Sequence, residues 1–329
     1  TGEHPRAAGH MLRTLVEFGQ LMVSVDLEKG ITPGRATTLE GLLNKLTAMG
    51  TREGMENGLA MTLAPSDIVI TPFGKSGTTW LQQMAHTLRT RGDMDFDDIS
   101  RVVPWIENST DLGLDLDAPQ KAQPRLFKSH LDAHRMPKGG RYIIACRDPK
   151  DAAYSMFKFM EGWFMEPGAI ALDDFVRALF IASGRSPDNR RGDYWTHLTS
   201  WWHRRNDPDV LFMAYEHMKD DLPGTIHTVA AFMDIALDDE LMAITEEHAS
   251  LPFMQQHKDC FDDKLMRERA MAVSGLPADS EASKVRDGKV GQSRQALGAD
   301  VARELDELWQ ERVTKELGYS DYASMIATL

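Results

Sequence analysis

Four short apolar runs punctuate the chain, three of them followed by a stretch in which hydrophobic residues recur every three or four positions. The runs are Ile68-Val69-Ile70, a segment near Arg125-Leu126-Phe127, Tyr142 to Cys146, and Val210 to Ala214. They are continuous rather than alternating, as expected of strands buried on both faces. Leu81, Met84, Ala85 and Leu88 follow the first run, Ala152, Ala153, Met156, Phe157 and Met160 the third, and Ile226, Val229, Ala230 and Met233 the fourth. Each set has the spacing of a helix with one apolar face. Strand alternating with helix predicts an α/β fold, a single three-layer α/β/α domain with a central, mostly parallel sheet and right-handed crossovers. Trp195, Leu198, Trp201 and Trp202 mark a helix whose aromatic face suits the core. Val301, Leu305 and Leu308 predict a closing helix stopped by Gly318.

The chain before the first strand reads differently. Met11, Leu12, Leu15 and Val16 suggest one amphipathic helix, and Leu42, Leu43, Leu46 and Met49 another, with Gly30, Pro33 and Gly34 between them. Residues 1–62 are therefore expected to be a helical segment that packs on the main domain or caps its pocket, and residues 63–329 the main domain.

Composition narrows the function. With 329 residues, 42% of them hydrophobic, the chain can bury a large core. A net charge of −13 argues against a nucleic-acid partner, which would require clustered cations. The two cysteines, Cys146 and Cys260, form no Cys-x-x-Cys motif and no Cys/His cluster, so neither a disulfide framework nor a metal site is expected. No apolar run approaches the length of a membrane span, and the expectation is a soluble, cytoplasmic protein.

The candidate chemistry begins after the first strand. Pro72 and Gly74 end the strand, a helix begins near Thr78, and Lys75-Ser76-Gly77-Thr78-Thr79-Trp80 lies between. The free N–H groups of a helix start attract anions, Lys75 adds a full charge, Gly77 permits close backbone approach, and two hydroxyls can donate to phosphate oxygens. A solvated turn with capping threonines would use the same residues, but their concentration in six positions favours a phosphate cradle. A nucleoside triphosphate loop would place its first glycine at position 69, which is Val69.

Lys128 and His130 lie two residues apart at the end of the second strand, on one side of it, where ligands of open α/β sheets bind. Arg147-Asp148-Pro149-Lys150-Asp151 opens the helix after the third strand, repeating the layout of strand, basic residue and helix start. Arg147 either pairs with Asp148 or Asp151 or, with Ser155 on the same side of the helix, holds a second phosphate.

At these residues the sequence resembles the PAPS-dependent sulfotransferases, PAPS being 3′-phosphoadenosine 5′-phosphosulfate. The family's 5′-phosphosulfate loop, Tyr-Pro-Lys-Ser-Gly-Thr-Thr-Trp, is matched at Lys75 to Trp80, with Phe73-Gly74 in place of Tyr-Pro. Its Lys-Thr-His motif is matched by Lys128-Ser129-His130, its Arg-Asn/Asp-Pro-Lys-Asp…Ser pattern by Arg147 to Ser155, and its Tyr-Glu-Asp-Met-Lys segment by Tyr215-Glu216-His217-Met218-Lys219. Arg286-Asp287-Gly288 resembles the loop over the 3′-phosphate, although Asp287 replaces a lysine. His248-Ala249-Ser250-Leu251 resembles the family's adenine-side segment His-Thr-Ser-Phe, with Ala249 and Leu251 in place of the threonine and phenylalanine.

The resemblance implies a fold akin to P-loop kinases and transfer of a sulfuryl group from PAPS, without a metal, to a hydroxyl or amine of a small, apolar acceptor, leaving adenosine 3′,5′-bisphosphate (PAP). It implies His130 as general base, with Lys75 and Lys128 offsetting developing charge and Ser155 restraining Lys75. Lys75, Ser76, Gly77, Thr78, Thr79 and Trp80 would hold the 5′ end, Arg147, Ser155, Arg286 and Gly288 the 3′-phosphate, and Tyr215 the adenine. Trp105, Phe159, Trp163 and Phe164 are the candidate acceptor wall. The competing readings are a small-molecule kinase using Mg-ATP, with Ser76 and Asp148 near the metal, and a nucleotide-binding module without activity. Acceptor identity and oligomeric state are not legible at this stage.

Overall fold

The computed structural model describes residues 31–186, 192–280, 284–285 and 288–329. The four apolar runs form β1 (Ile68–Ile70), β2 (Leu126–Lys128), β3 (Arg141–Cys146) and β4 (Val210–Ala214). They lie side by side in the order β2-β1-β3-β4, and every pair is parallel. The strand order reverses at β1, so the crossovers leave its two sides and open a crevice at the carboxyl edge of the sheet.

Each strand splits its side chains between two cores. Ile68, Ile70, Leu126, Ile143 and Ala145 face one layer, with Leu81, Met84 and Leu88 of α3 (Thr78–Thr90) and Ile226 and Val229 of the Leu222–Phe232 helix. Val69, Phe127, Tyr142 and Ile144 face the other, with residues of the helices Pro149–Met160, Tyr194–His203 and Ala299–Trp309. These are the helices on both faces that the sequence pattern predicts, and the sheet is wholly rather than mostly parallel.

The aromatic helix is core. Trp195, Trp201 and Trp202 are fully buried, and Trp201 Nε1 donates to the Leu131 carbonyl at 3.0 Å. On the same helix His197 Nε2 meets the Thr71 carbonyl at 2.9 Å; since a carbonyl can only accept, the ring nitrogen carries the proton. These two bonds anchor the backbone just beyond β1 and β2, where the site begins.

Residues 31–62 contribute α1 (Leu39–Thr47) and α2 (Arg52–Leu59), capped by the Thr38 and Thr51 side chains. The buried Lys45 ammonium donates to the Thr32 and Ser274 carbonyls at 2.6 and 2.8 Å, joining this segment to the Lys264–Ser274 helix. The helix expected around Met11 to Val16 lies outside the described residues. At the other end of the chain Gly318 ends the closing helix in the left-handed region, with φ 85°. No helix among the described residues is long and apolar enough to cross a membrane.

Candidate active site

Because the strands run parallel with Ile70 opposite both Lys128 and Ile143, their carboxyl ends open onto one edge. Each end delivers one element of the site: the 71–77 loop from β1, Lys128 and His130 from β2, Arg147 from β3 and Tyr215 from β4. All five groups line a single cleft, with Trp105, Ser155, Phe159, Asp263, Lys284, Gly288 and Lys289.

The loop after β1 is held in a demanding backbone path. Lys75 has φ 69°, left-handed for a side chain with a β-carbon, and Gly77 has φ 92°. A β-carbon on Gly77 would sit 3.0 Å from the Tyr215 ring, so only glycine fits between α3 and the strand end. Phe73, where the family has tyrosine, is 4% exposed and packs edge-on against Phe180, Tyr194 and His197. Gly74 passes close to the Pro149–Met160 helix, where a β-carbon would meet only the mobile end of the Met156 side chain, at 2.8 Å. The atypical Phe73 thus fixes the loop entry through apolar packing.

The loop and the helix start leave two buried hydroxyls unpaired. Ser76 Oγ and Thr78 Oγ1 find no hydrogen-bond partner among the described residues. Thr78 and Thr79 border the cleft, whereas the fully buried Ser76 lies behind it. Burying a hydroxyl unpaired costs about 1–3 kcal/mol, so Thr78, at the cleft, suits an anion with acceptor oxygens. Trp80 lines the cleft and is tethered through Nε1 to the Ala249 carbonyl at 2.8 Å, with its ring edge-on to Tyr215.

Arg147 resolves the choice left open by its neighbours. Asp148 caps its own helix by accepting from the Lys150 N–H, and Asp151 accepts from the Gly291 N–H and from the N–H and hydroxyl of Ser293. Neither carboxylate pairs with the guanidinium. Arg147 instead donates to the Lys75 carbonyl at 3.0 Å and the Lys289 carbonyl at 3.3 Å, and lies over the Tyr215 ring at 4.6 Å. Its Nε, buried, has no partner among the described residues. The two cationic regions are therefore adjacent, close enough to hold two ends of one molecule. Ser155 lines the cleft from the same helix as Asp151. Gly288, at φ 60°, and Lys289 close it from the opposite loop, while Arg286 and Asp287 lie outside the described residues.

Lys128 and His130 form the other end of the cleft. The Trp105 segment runs beside β2, with the Ile106 N–H on the Lys128 carbonyl and the Lys128 N–H on the Pro104 carbonyl, both at 2.8 Å. This seats the Lys128 ammonium 3.6 Å from the centre of the Trp105 ring, a cation–π contact. The same ring is edge-on to His130 at 5.2 Å. Glu107 accepts from the His130 N–H at 2.8 Å, and burial pushes its carboxyl above the usual range.

The imidazole has a defined tautomer. His130 Nδ1 lies 2.7 Å from the Pro72 carbonyl and must carry the proton, leaving Nε2 as an acceptor. Burial, reinforced by the Lys128 ammonium, holds its pKa well below the ordinary value. The ring is thus neutral near pH 7, the state a base requires. For Lys128, burial pushes the ammonium down to about 7, and Lys284 adds to that push.

The structure corrects half of the expected acceptor wall. Trp105 and Phe159 line the cleft, and Phe159 lies under the Lys75 ammonium at 4.1 Å. Trp163 and Phe164 do not line it and are fully buried. Past the Pro149–Met160 helix, Gly162 turns the chain at φ 84°, and the Met160 carbonyl gathers the N–H groups of Trp163, Phe164 and Met165. Both rings are thereby folded into the core behind Phe159, with Trp163 4.9 Å from it. Asp263 and Lys284 escaped the sequence reading as parts of one charged group. They sit in a polar stretch without periodicity, and only the fold brings them into the cleft that Lys128 lines.

The site defines a class: a nucleotide-binding α/β protein whose phosphate loop, second cationic pocket and neutral histidine open into one cleft. Residues 65–317 match the family described as "Sulfotransferase domain", and the chain belongs to that family, the PAPS-dependent sulfotransferases. It is 28% identical over 259 residues to Sulfotransferase 1E1 of Mus musculus, covering 76% of this chain and 84% of that protein. Against Sulfotransferase 1E1 of Bos taurus it is 30% identical over 203 residues, covering 59% of this chain and 67% of the relative. Its fold is similar to that of mouse sulfotransferase SULT7A1, solved in complex with PAP, with a TM-score of 0.62 and 24% identity over 85% of this chain and 95% of that one.

The protein is thus an enzyme that transfers a sulfuryl group from PAPS to an acceptor and releases PAP. The kinase alternative has no support. Position 69 is a strand valine, Ser76 lies behind the cleft, and the Asp148 carboxylate is committed to its helix cap. Among the described residues no group of three or more His, Cys, Asp or Glu side chains is arranged to hold a metal ion.

Proposed function

We propose that His130 is the general base of this enzyme and that the acceptor is a small, largely apolar molecule presenting a hydroxyl or amine. The observation that carries the reading is the 2.7 Å contact of Nδ1 with the Pro72 carbonyl, which commits one ring nitrogen and leaves Nε2 to take a proton. His130 removes the acceptor proton as its oxygen or nitrogen bonds to sulfur, while the bond from sulfur to the bridging phosphate oxygen breaks. Lys75 and Lys128 offset the negative charge that builds on the bridging and sulfuryl oxygens. Preorganised donors of this kind contribute about 3 kcal/mol each to the transition state.

Thr78, Thr79 and the N-terminus of α3 hold the 5′-phosphate, with Gly77 allowing the close approach and Ser76 supporting the loop from behind. Arg147, Ser155, Arg286 and Gly288 hold the 3′-phosphate, and Tyr215 and Trp80 flank the base. Ser155 also restrains Lys75 before the acceptor arrives. Trp105, Phe159, Met156 and Met254 give the cleft apolar walls, which favour phenols, sterols and aliphatic alcohols or amines over charged polymers. Cys146 and Cys260 are both unpaired thiols, which supports a reducing compartment such as the cytoplasm.

The test is a screen with sulfur-labelled PAPS over phenols, sterols, aliphatic alcohols, amines and sulfatable polysaccharides, with PAP quantified in parallel. Labelled product and PAP are expected in equal amounts, from apolar small molecules only. Turnover confined to the polysaccharides would overturn the assignment of acceptor class.

A further inference from the structure

The mechanism requires Lys128 as an ammonium, yet its side chain is only 3% exposed and rests on an indole face. Burial of a lone cation at that depth favours the neutral amine. Across the same cleft, Asp263 and Lys284 form an ion pair with side chains 3% and 9% exposed. Asp263 occupies the N-cap position of the Lys264–Ser274 helix but makes no capping bond. Asp98, from another element, accepts from the Leu265 N–H at 2.9 Å. Asp263 also adopts φ 49° and ψ 54°, a left-handed conformation that costs an aspartate on the order of 1 kcal/mol. An aspartate at a helix start is thus strained, relieved of capping and ion-paired with Lys284 in the cleft that Lys128 also lines.

From this geometry we infer that Asp263 is a positioning residue for Lys128: its carboxylate is the interior countercharge that keeps the Lys128 ammonium protonated and in place, and Lys284 tunes it by sharing that carboxylate. The inference rests on the proposed role of Lys128 in offsetting charge. The charges that act on Lys128 are Lys284, which lowers its pKa, and Asp263, Glu107 and Asp98, which raise it, with the neutral His130 in the same cleft. Although burial works against its own ionisation, Lys284 and Lys128 hold the Asp263 carboxyl below the usual range, so it stays ionised where Lys128 titrates near neutrality.

The sign of the effect follows. Lys128 acts when protonated, so kcat/KM for PAPS falls as pH rises through its pKa. Removing a nearby negative charge lowers that pKa and moves the alkaline limb to lower pH; removing a nearby positive charge moves it to higher pH.

The experiment measures kcat/KM for PAPS from pH 5.5 to 9, together with the pH dependence of amine acylation at Lys128, in the wild type, Asp263→Asn, Asp263→Glu and Lys284→Met. In Asp263→Asn both the alkaline limb and the acylation midpoint are expected to fall by about one pH unit, costing roughly tenfold more activity above the limb than below it. Asp263→Glu restores them, and Lys284→Met moves them the other way. A pH-independent loss in Asp263→Asn with the midpoint unmoved would overturn the inference. Should Asp263→Asn not fold, an unmoved midpoint in Lys284→Met would do so. Acylation also separates the two proposals: a shifted midpoint without transfer activity in the wild type sinks the sulfuryl-transfer role of this cleft, not the role of Asp263.

Discussion

In His130→Ala, kcat for sulfuryl transfer is expected to fall by roughly 10²- to 10⁴-fold, the usual contribution of a positioned base. Affinity for PAP should stay at the wild-type level, because the phosphate-facing groups belong to other strand ends. Alanine also removes the tether to the Pro72 carbonyl that leads into the Lys75 loop. His130→Asn separates the two effects, since its amide can donate where Nδ1–H did but cannot act as a base. If the base assignment is right, stopped-time product assays show both variants inactive, while calorimetry shows PAP bound by both. An Asn variant with near-normal kcat would leave His130 a structural role only.

Arg147→Ala is expected to act on the other side of the reaction. The guanidinium contacts the backbone of Lys75 and Lys289 from between them and offers a fork to a phosphate dianion. Loss of charge-assisted bonds of about 1.5–3 kcal/mol predicts PAP affinity weakened by roughly ten- to a hundredfold, with KM for PAPS raised to match. Its kcat at saturating donor falls far less. Arg147→Lys keeps the charge but loses the fork and lies between the two. Calorimetric titration with PAP and with adenosine 5′-phosphate checks this: the wild type prefers the bisphosphate, and Arg147→Ala loses that preference. A preference that survives the substitution would move the 3′-phosphate elsewhere.

Much of this was legible before any coordinates. A buried parallel strand requires an uninterrupted apolar run, so Ile68–Ile70, Arg141–Cys146 and Val210–Ala214 could be read directly, as could the helix starts beside them. Once those strands are parallel, the residues just after them must share one edge, which is why Lys75, Lys128, His130, Arg147 and Tyr215 meet. What sequence could not supply was side-chain direction outside periodic segments. Trp163 and Phe164 were expected at the acceptor wall because aromatic rings suit such walls, but the turn at Gly162 sends them inward. Asp263 was invisible for a related reason: its left-handed backbone belongs to no repeating pattern, and its partner lies in a distant loop. The partners of Asp148 and Asp151, which leave neither carboxylate on Arg147, likewise needed the fold.

The central claim is that two positively polarised regions grip opposite ends of one doubly phosphorylated adenosine and aim its 5′ end at His130. A crystal structure of the enzyme with PAP tests it most directly. One nucleotide should be found with its 5′-phosphate against Lys75, Thr78 and the first N–H groups of α3, and its 3′-phosphate on Arg147 and Ser155. A complex in which no single nucleotide touches both Lys75 and Arg147 would contradict the account.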